Sequence, residues 1–586
     1  FETRLDNSYR ERTDPTLTVG FMLNDNDKTG ANTRLLAWTT TPWTLPSNMA
    51  LCVNPELTYV LLQKDDQRVI IAEAARERYA RELKDFEPQK EFKGSDLVGL
   101  TYTPLFPYFK DLEGAFRVFA DSFVEADSGT GTVHIAPGFG EEDMELGKRN
   151  NIPIVVPVDE AGLFTPEITD YAGQNVILEA NEKIIQDLKK QGVVLKHDQI
   201  LHSYPHCWRT DQPLIYKAVN SWYLAVTQFR DRMVELNQDI TWVPGHIKDG
   251  AFGNWLANAR DWNISRNRFW GAPIPVWRSD DDRYPRIDVY GSIEELERDF
   301  GVKVDNLHRP MIDDLVRPNP DDPTGQSMMR RVPEVLDCWF ESGSMPFAQL
   351  HYPFENKDRF EDNFPGDFIV EYIAQTRGWF YTLMVLSTAL FDRAPFKSCI
   401  CHGVVLDENH QKLSKRLKNY PDPVDVFNNL GSDALRWYLC SSPLITGGDL
   451  AMSRDDSEIV KGMRSVIIRL WNAFYFFTLY ANVEGVEAKI STKSDSPMNR
   501  FLLGKTAKLI EQIEGHLDNM DLPSAYNSVP DYIEALNNWY IRNSRSLFWD
   551  EAKSAEKQDA YDTLYTSLVY ASKALGPLLP FISEEI

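Results

Sequence analysis

The sequence has no apolar run long enough to cross a bilayer: its longest, Trp379 to Phe391, is interrupted by Thr382, Ser387 and Thr388, whereas a spanning helix needs about 20 apolar residues. No membrane association is expected. There is no CxxC among the six cysteines, Cys52, Cys207, Cys338, Cys399, Cys401 and Cys440, which excludes a disulfide framework and a zinc-ribbon spacing and fits a reducing cytoplasm. Cations are short, with 62 Lys and Arg against 87 Asp and Glu and a net charge of -25. That excludes the broad basic surface on which non-specific nucleic-acid binding depends. Internal repeats and low-complexity tracts are missing too. So are an initiator methionine and a signal-like segment at Phe1, and Pro580 to Ile586 runs in an unfinished helical pattern; both ends are therefore expected to be cut.

What is there is globular, 43% hydrophobic and 25% charged, and at roughly 150 residues per domain the length allows about four domains. Residues 1–210 read as a β-rich mixed α/β module, with strands at Tyr59–Leu62 and Val69–Ala72 and turns at Gly129, Gly131, Gly138 and Gly140. A helix is predicted from Asn181 to about Gln191, with Ile184, Ile185 and Leu188 on one face and a stop at Gly192. Residues 211–430 alternate strands, Phe368–Val370 and Ile400–Val405, with a helix over Arg377–Leu390, as in a parallel α/β sheet that holds a nucleotide. A junction, 431–456, leads to an all-α region, 457–586. Its predicted helices are Ile459–Tyr480, Arg500–Leu517, Ser524–Trp549 and Lys557–Leu575, with a connector at Lys489–Pro497.

Three clusters carry chemistry. Between Gln411 and Tyr420 the loop Lys412-Leu-Ser-Lys-Arg416 and Lys418 supply four cations and no acid; such a loop in an acidic body makes a local field suited to polyphosphate, or is simply solvated. Thr39, Thr40, Thr41 and Thr44 crowd beside two prolines in Trp38–Asn48, and Gly129-Thr-Gly-Thr-Val-His-Ile-Ala-Pro137 precedes Asp143; a polar β-edge and a tight turn are the plain alternatives. His202, His206 and Cys207 suggest a metal, yet no partner pair is visible, so zinc is not expected. Arg542 and Arg545, three apart on one helical face, suit a phosphate or solvent equally.

These segments, in this order, resemble the isoleucyl branch of the class I aminoacyl-tRNA synthetases. Lys412 to Arg416 is similar to the KMSKS loop, with Leu413 for Met and Arg416 for Ser. Glu371 to Tyr381 resembles the adenylate-site helix, Asp337-Cys-Trp-Phe-Glu-Ser-Gly343 the DVWFDSG segment, and Asn263 to Pro275 the ISRQRYWGTPIP signature. Leu470–Phe474 and Leu536–Arg545 resemble the anticodon-binding bundle. The resemblance implies an editing insertion, the C-terminal half of a Rossmann-type parallel-sheet domain, and a helical anticodon-binding domain. It implies ATP with Mg2+ as a substrate complex, isoleucine and tRNA(Ile) as further partners, and a monomer. In the ligation site it implies Lys412, Ser414 and Lys415 as catalytic; Glu371, His402 and Gly403, with the two lysines, on ATP or adenylate; Gln375 on the substrate amino group; and Trp339 and Trp379 as walls of its side-chain pocket.

The threonine segment and Gly129 to Pro137 look like the family's editing motifs. They imply Asp143 as anchor of a misattached amino acid's ammonium, Thr39, Thr40, Thr41 and Thr44 around the terminal adenosine and water, Asn48 as support, and His134 as the group that excludes isoleucine. By residue type alone a general base is the alternative reading of His134, and the family pattern favours the size-limiting role. A second site has a physical reason: one methylene in an apolar pocket is worth only about 1–3 kcal/mol, the isoleucine–valine pair being the standard example of that limit.

Isoleucine is favoured because the valyl and leucyl relatives have an arginine-containing segment where Thr41-Pro42-Trp43 stands. Two departures remain. Tyr372-Ile-Ala374 replaces the Gly-Ser-Asp of many bacterial members, as in the eukaryote-like branch, and Thr210 stands where some relatives complete a CxxC from Cys207. No two of the ten histidines are three residues apart, so the HIGH motif is absent and the segment alone is not expected to activate isoleucine. A stand-alone tRNA deacylase and a non-catalytic tRNA-binding paralogue stay open as alternatives.

Overall fold

The computed structural model describes residues 9–207, 210–415 and 417–586, in two compact units, Phe1–Asn220 and Ser221–Ile586. The first unit is built on a six-stranded sheet of order β6–β4–β5–β2–β1–β9. Its strands are β1 (Tyr9–Met22), β2 (Thr33–Thr39), β4 (Thr58–Lys64), β5 (Gln67–Ala72), β6 (Glu87–Lys93) and β9 (Val194–Pro205). The β4–β5 hairpin closes between Lys64 and Gln67 through Asp65, whose φ of 53° is the left-handed value a two-residue turn demands. A second sheet, β7–β3–β8, has β3 (Ala50–Val53) between β7 (Arg117–Ala120) and β8 (Thr132–Ile135). All four β3 residues are fully buried, which is why this strand reads as an unbroken apolar run.

Helix α1 (Glu141–Asn150) opens on Glu141, Glu142 and Asp143 and closes on Lys148 and Arg149, the charge order that the helix dipole favours. Helix α2 (Asn181–Lys190) follows the predicted span, and Gly192 takes a φ of 68° beyond it. Its Ile184, Ile185 and Leu188 are buried, contributing about 1.5–3 kcal/mol each.

In the second unit three parallel strands, β10 (Thr241–Val243), β11 (Ile369–Tyr372) and β12 (Ser398–His402), pair in the order β10–β12–β11. Helix α3 (Cys338–Ala348) packs on α4 (Trp379–Phe391), which is buried from Phe380 to Thr388. Two expectations are corrected here. Strand β12 stops at His402, and a separate short strand, β13 (Val405–Asp407), follows and pairs in parallel with β14 (Leu450–Met452). Helix α4 starts at Trp379 rather than Arg377, so Glu371 lies on a strand and Gln375 in a 3-10 turn, Ile373–Arg377. The reason is Gly378, whose φ of -126° and ψ of -113° no helix contains. A four-stranded antiparallel sheet between Arg317 and Arg331 on one side and Val276 to Val289 on the other surrounds the fully buried Trp277.

The helices that follow are α5 (Ser432–Cys440), α6 (Ser457–Ser465), α7 (Ile467–Glu484), α8 (Pro497–Asp518), α9 (Leu522–Glu534), α10 (Arg542–Trp549) and α11 (Ala555–Leu575). The single helix predicted over Ile459–Tyr480 is broken at Val466. Val466 is buried with Trp437 and Leu470, so packing, and no glycine or proline, sets the break. The predicted Ser524–Trp549 helix is carried as α9, a π turn over Ala535–Ile541, and α10. Within this core Tyr540 donates to Asn499 Oδ1 (2.8 Å), and Asn499 donates to Asp559 (2.8 Å). Among the described residues no helix is long and apolar enough to cross a membrane.

Candidate functional site

A cavity of about 350 Å³ in the first unit is lined by Thr39, Thr40, Thr41, Thr44, Thr132, His134 and Asp143, with Trp38, Gly129 and Gly131. Four segments build it: the end of β2 with the buried turn Pro42–Ser47, the stretch from Phe123 to Gly131, strand β8, and the first turn of α1. Gly131 takes a φ of 76°, and a Cβ there would stand 2.4 Å from that of Ala72, so only glycine admits this wall.

The threonine hydroxyls form a connected cluster. Thr44 donates its only hydroxyl proton to the Thr41 carbonyl (2.8 Å). Its oxygen also lies 3.3 Å from Thr41 Oγ1 and 2.9 Å from His134 Nε2, in hydrogen-bond range of both. Thr39 Oγ1 lies 3.3 Å from Thr41 Oγ1 and accepts the Thr41 N–H (3.0 Å). Burial lowers the pKa of His134 to about 4, and its Nδ1 is enclosed without a partner. A buried ring that resists protonation is a poor general base at neutral pH.

Asp143 is half-buried, and one oxygen accepts the Ala136 N–H (2.8 Å). Desolvation raises its pKa to about 6, against that hydrogen bond, so it is an anion at neutral pH that lacks a counter-ion among the described residues. Asn48 lies beneath the wall: it accepts from the Tyr102 hydroxyl (2.6 Å) and donates to the Ala50 carbonyl (2.8 Å). Tyr102→Phe should lower the stability of this unit by about 1–2 kcal/mol, because it strands a buried acceptor; denaturant unfolding of the variant checks this.

In the second unit Gln375, Trp339 and Trp379 meet around Gly378, where a Cβ would stand 2.6 Å from Gln375 Oε1 and 3.2 Å from the Trp339 ring. Gln375 Oε1 accepts the Trp379 N–H (2.9 Å), capping α4, and the Trp379 indole donates to the Ser342 carbonyl (3.0 Å). Asp337 caps α3 through the Trp339 N–H (3.2 Å) and pairs with Arg266 (2.6 Å). Glu371 is exposed on β11, opposite Cys401. His402 donates from Nδ1 to the Gly403 carbonyl (2.7 Å). Lys412, Lys415 and Lys418 are exposed, and Ser414 Oγ accepts the Leu417 N–H (3.1 Å); Arg416 lies outside the described residues. Motif reading passed over Asn419, which bonds to three points of this loop.

His202 bonds to Asp14 (2.9 Å) and His206 to the Tyr204 carbonyl (2.8 Å). Among the described residues no three His, Cys, Asp or Glu gather as a metal site. Arg542 and Arg545 are exposed.

A family profile described as tRNA synthetases class I (I, L, M and V) fits residues 9–453, taking in the threonine cavity and the lysine loop. The chain belongs to the class I tRNA synthetases. A second profile, the anticodon-binding domain of tRNA ligase, fits residues 499–586. The isoleucine–tRNA ligases of Rickettsia canadensis (strain McKiel) and Rickettsia conorii are 57% identical to this class I chain over 591 and 593 residues, all of it but 55% and 54% of theirs. The chain thus spans about half the length of the curated relatives it matches. Among solved structures, Mycobacterium tuberculosis methionyl-tRNA synthetase in complex with methionyl-adenylate is 16% identical, with a TM-score of 0.46 over 65% of each chain.

Proposed function

We propose that this chain contains two working parts of an isoleucine–tRNA ligase: a hydrolytic site that removes misattached valine from tRNA(Ile), and part of the site that joins isoleucine to tRNA(Ile) through isoleucyl-adenylate, with ATP and Mg2+ as a substrate complex. The observation that carries the first is the cavity that joins Asp143, the threonine cluster and His134. Asp143 binds the ammonium of the aminoacyl ester. The threonines offer lone pairs to a ribose hydroxyl or to the protons of a water, whose oxygen then faces the ester carbon. His134 limits the depth of the cavity, so valine enters and a side chain one methylene larger does not. The second part is supported by Gln375, Trp339 and Trp379 around Gly378 and by the exposed lysines of the 412–418 loop, which suit an amino acid and phosphates respectively. The helical region suits tRNA, and the domain limits 1–210, 211–430, 431–456 and 457–586 follow from this reading.

The test is hydrolysis of valyl-tRNA(Ile) by the 586-residue chain beside isoleucyl-tRNA(Ile). Preferential release of valine is expected, and equal, slow release of both would refute the editing assignment. His134→Ala should narrow that preference about tenfold or more by admitting the larger side chain; unchanged selectivity would place the size limit elsewhere.

A further inference from the structure

The loop that carries Lys412 and Lys415 is closed by a residue outside the five-residue motif. The Asn419 Oδ1 accepts the Ser414 N–H (3.0 Å), while its Nδ2 donates to Asp407 Oδ2 (2.8 Å) and to the Lys412 carbonyl (3.2 Å). Both neighbours of Leu413 are thus held by one side chain. Asp407, the last residue of β13, is 6% exposed and is the fixed end of this arrangement. Its Oδ1 accepts the N–H groups of Asn409 and Gln411 (2.9 Å each), closing a turn in which Leu406 and Lys412 form an antiparallel bridge. The Asn419 hydrogen bond, followed by these, keeps the Asp407 carboxyl below its usual range.

Further along, the Lys418 N–H reaches the Ser414 carbonyl (3.0 Å), and Arg454 donates to the Lys418 carbonyl (2.9 Å). Lys418 itself has a φ of 46°, a left-handed conformation that L residues other than glycine, asparagine and aspartate seldom adopt. The loop is therefore held in a bend that its own backbone does not prefer. An ammonium group lowers the energy of charge developing on a phosphate only if it is in place before the charge appears, so what fixes the loop decides what its lysines can do.

We propose that Asn419 is the positioning residue of this loop: bonded to the buried Asp407, it fixes the backbone from Lys412 to Ser414 so that Lys412 and Lys415 present their ammonium groups to the phosphates of a nucleotide. This rests on the reading of the loop as a phosphate site. Inorganic tripolyphosphate, titrated calorimetrically into the 586-residue chain at low salt, is the probe, with Lys412→Ala and Lys415→Ala marking where it binds. Asn419→Ala should weaken binding about tenfold. Asn419→Asp should weaken it further, because two carboxylates then stand within hydrogen-bond range with no proton between them. Adding Asp407→Asn to Asn419→Asp restores the donor–acceptor pair between 407 and 419 but not the bond to the Lys412 carbonyl, and should recover at least about threefold of the binding that Asn419→Asp loses, a rescue that a merely structural role does not give. Absent or lysine-independent binding by the parent overturns the phosphate reading and this role together. Lysine-dependent binding that Asn419→Ala and Asn419→Asp leave at parent strength, or a double variant no better than Asn419→Asp alone, overturns the role of Asn419 by itself.

Discussion

Asp143→Ala is expected to lower kcat/KM for hydrolysis of valyl-tRNA(Ile) by about 100-fold or more, the roughly 3 kcal/mol that follows loss of one partner from a partly desolvated charge pair. The same carboxylate sets a pH limit. Desolvation raises its pKa to about 6, so the anion that binds the ammonium is lost as pH falls through about 6, and hydrolysis should fall with it; the variant should lack this limb. The sign for stability is opposite. An unfolded aspartate ionises near 3.9, so between about pH 4 and 6 the folded chain keeps a proton that the unfolded chain has released, and stability declines as pH rises through that window. Asp143→Asn keeps an oxygen for the Ala136 N–H and removes the charge. It should therefore be at least as stable as the parent above pH 6 and nearly inactive, and near-parental hydrolysis by it would exclude an ionic anchor.

Gly403→Ala is expected to destabilise the second unit by on the order of 3 kcal/mol or more. A Cβ at Gly403 would lie 2.0 Å from the Gly448 carbonyl oxygen and 2.5 Å from its carbon. Neither can retreat easily, because Gly403 donates to the Leu444 carbonyl (2.8 Å), Gly448 to the Pro443 carbonyl (3.0 Å) and Leu450 to the Val404 carbonyl (2.9 Å). The strand end that carries His402 is clamped against the 443–450 segment. Hydrogen exchange across residues 398–407 is the direct measurement, since a protein of two units need not unfold in one step. Exchange as slow as in the parent would mean that the segment yields where the geometry says it is held.

Local pattern revealed much of this molecule. Helix α2 and the long helices α8 and α11 were legible because their apolar residues recur at helical spacing and glycine or proline marks their limits. The break at Val466 was not, because it depends on a cluster drawn from α5 and α7, with no glycine or proline at the break itself. Glu371 to Tyr381 resembles one helix in a run without proline, and the conformation of Gly378 separates the turn that holds Gln375 from the helix. The site followed the same division. The threonines, His134 and Asp143 come from two short segments, and motif resemblance placed them together. Asn48 and its Tyr102 partner are 54 residues apart, and Asn419 meets Asp407 across 12; no local spacing encodes either pair.

The threonine-lined cavity has one more property, the sign of its wall. Among the described residues that line it are two carboxylates, Glu125 and Asp143, and neither a lysine nor an arginine. An amino acid esterified to a ribose brings one positive charge into such a space. The same amino acid joined to AMP brings that charge together with a phosphate anion, which finds like charge and no cation to meet it. On the editing reading proposed above, a wall of this sign suits an amino acid esterified to the end of an RNA better than one joined to AMP.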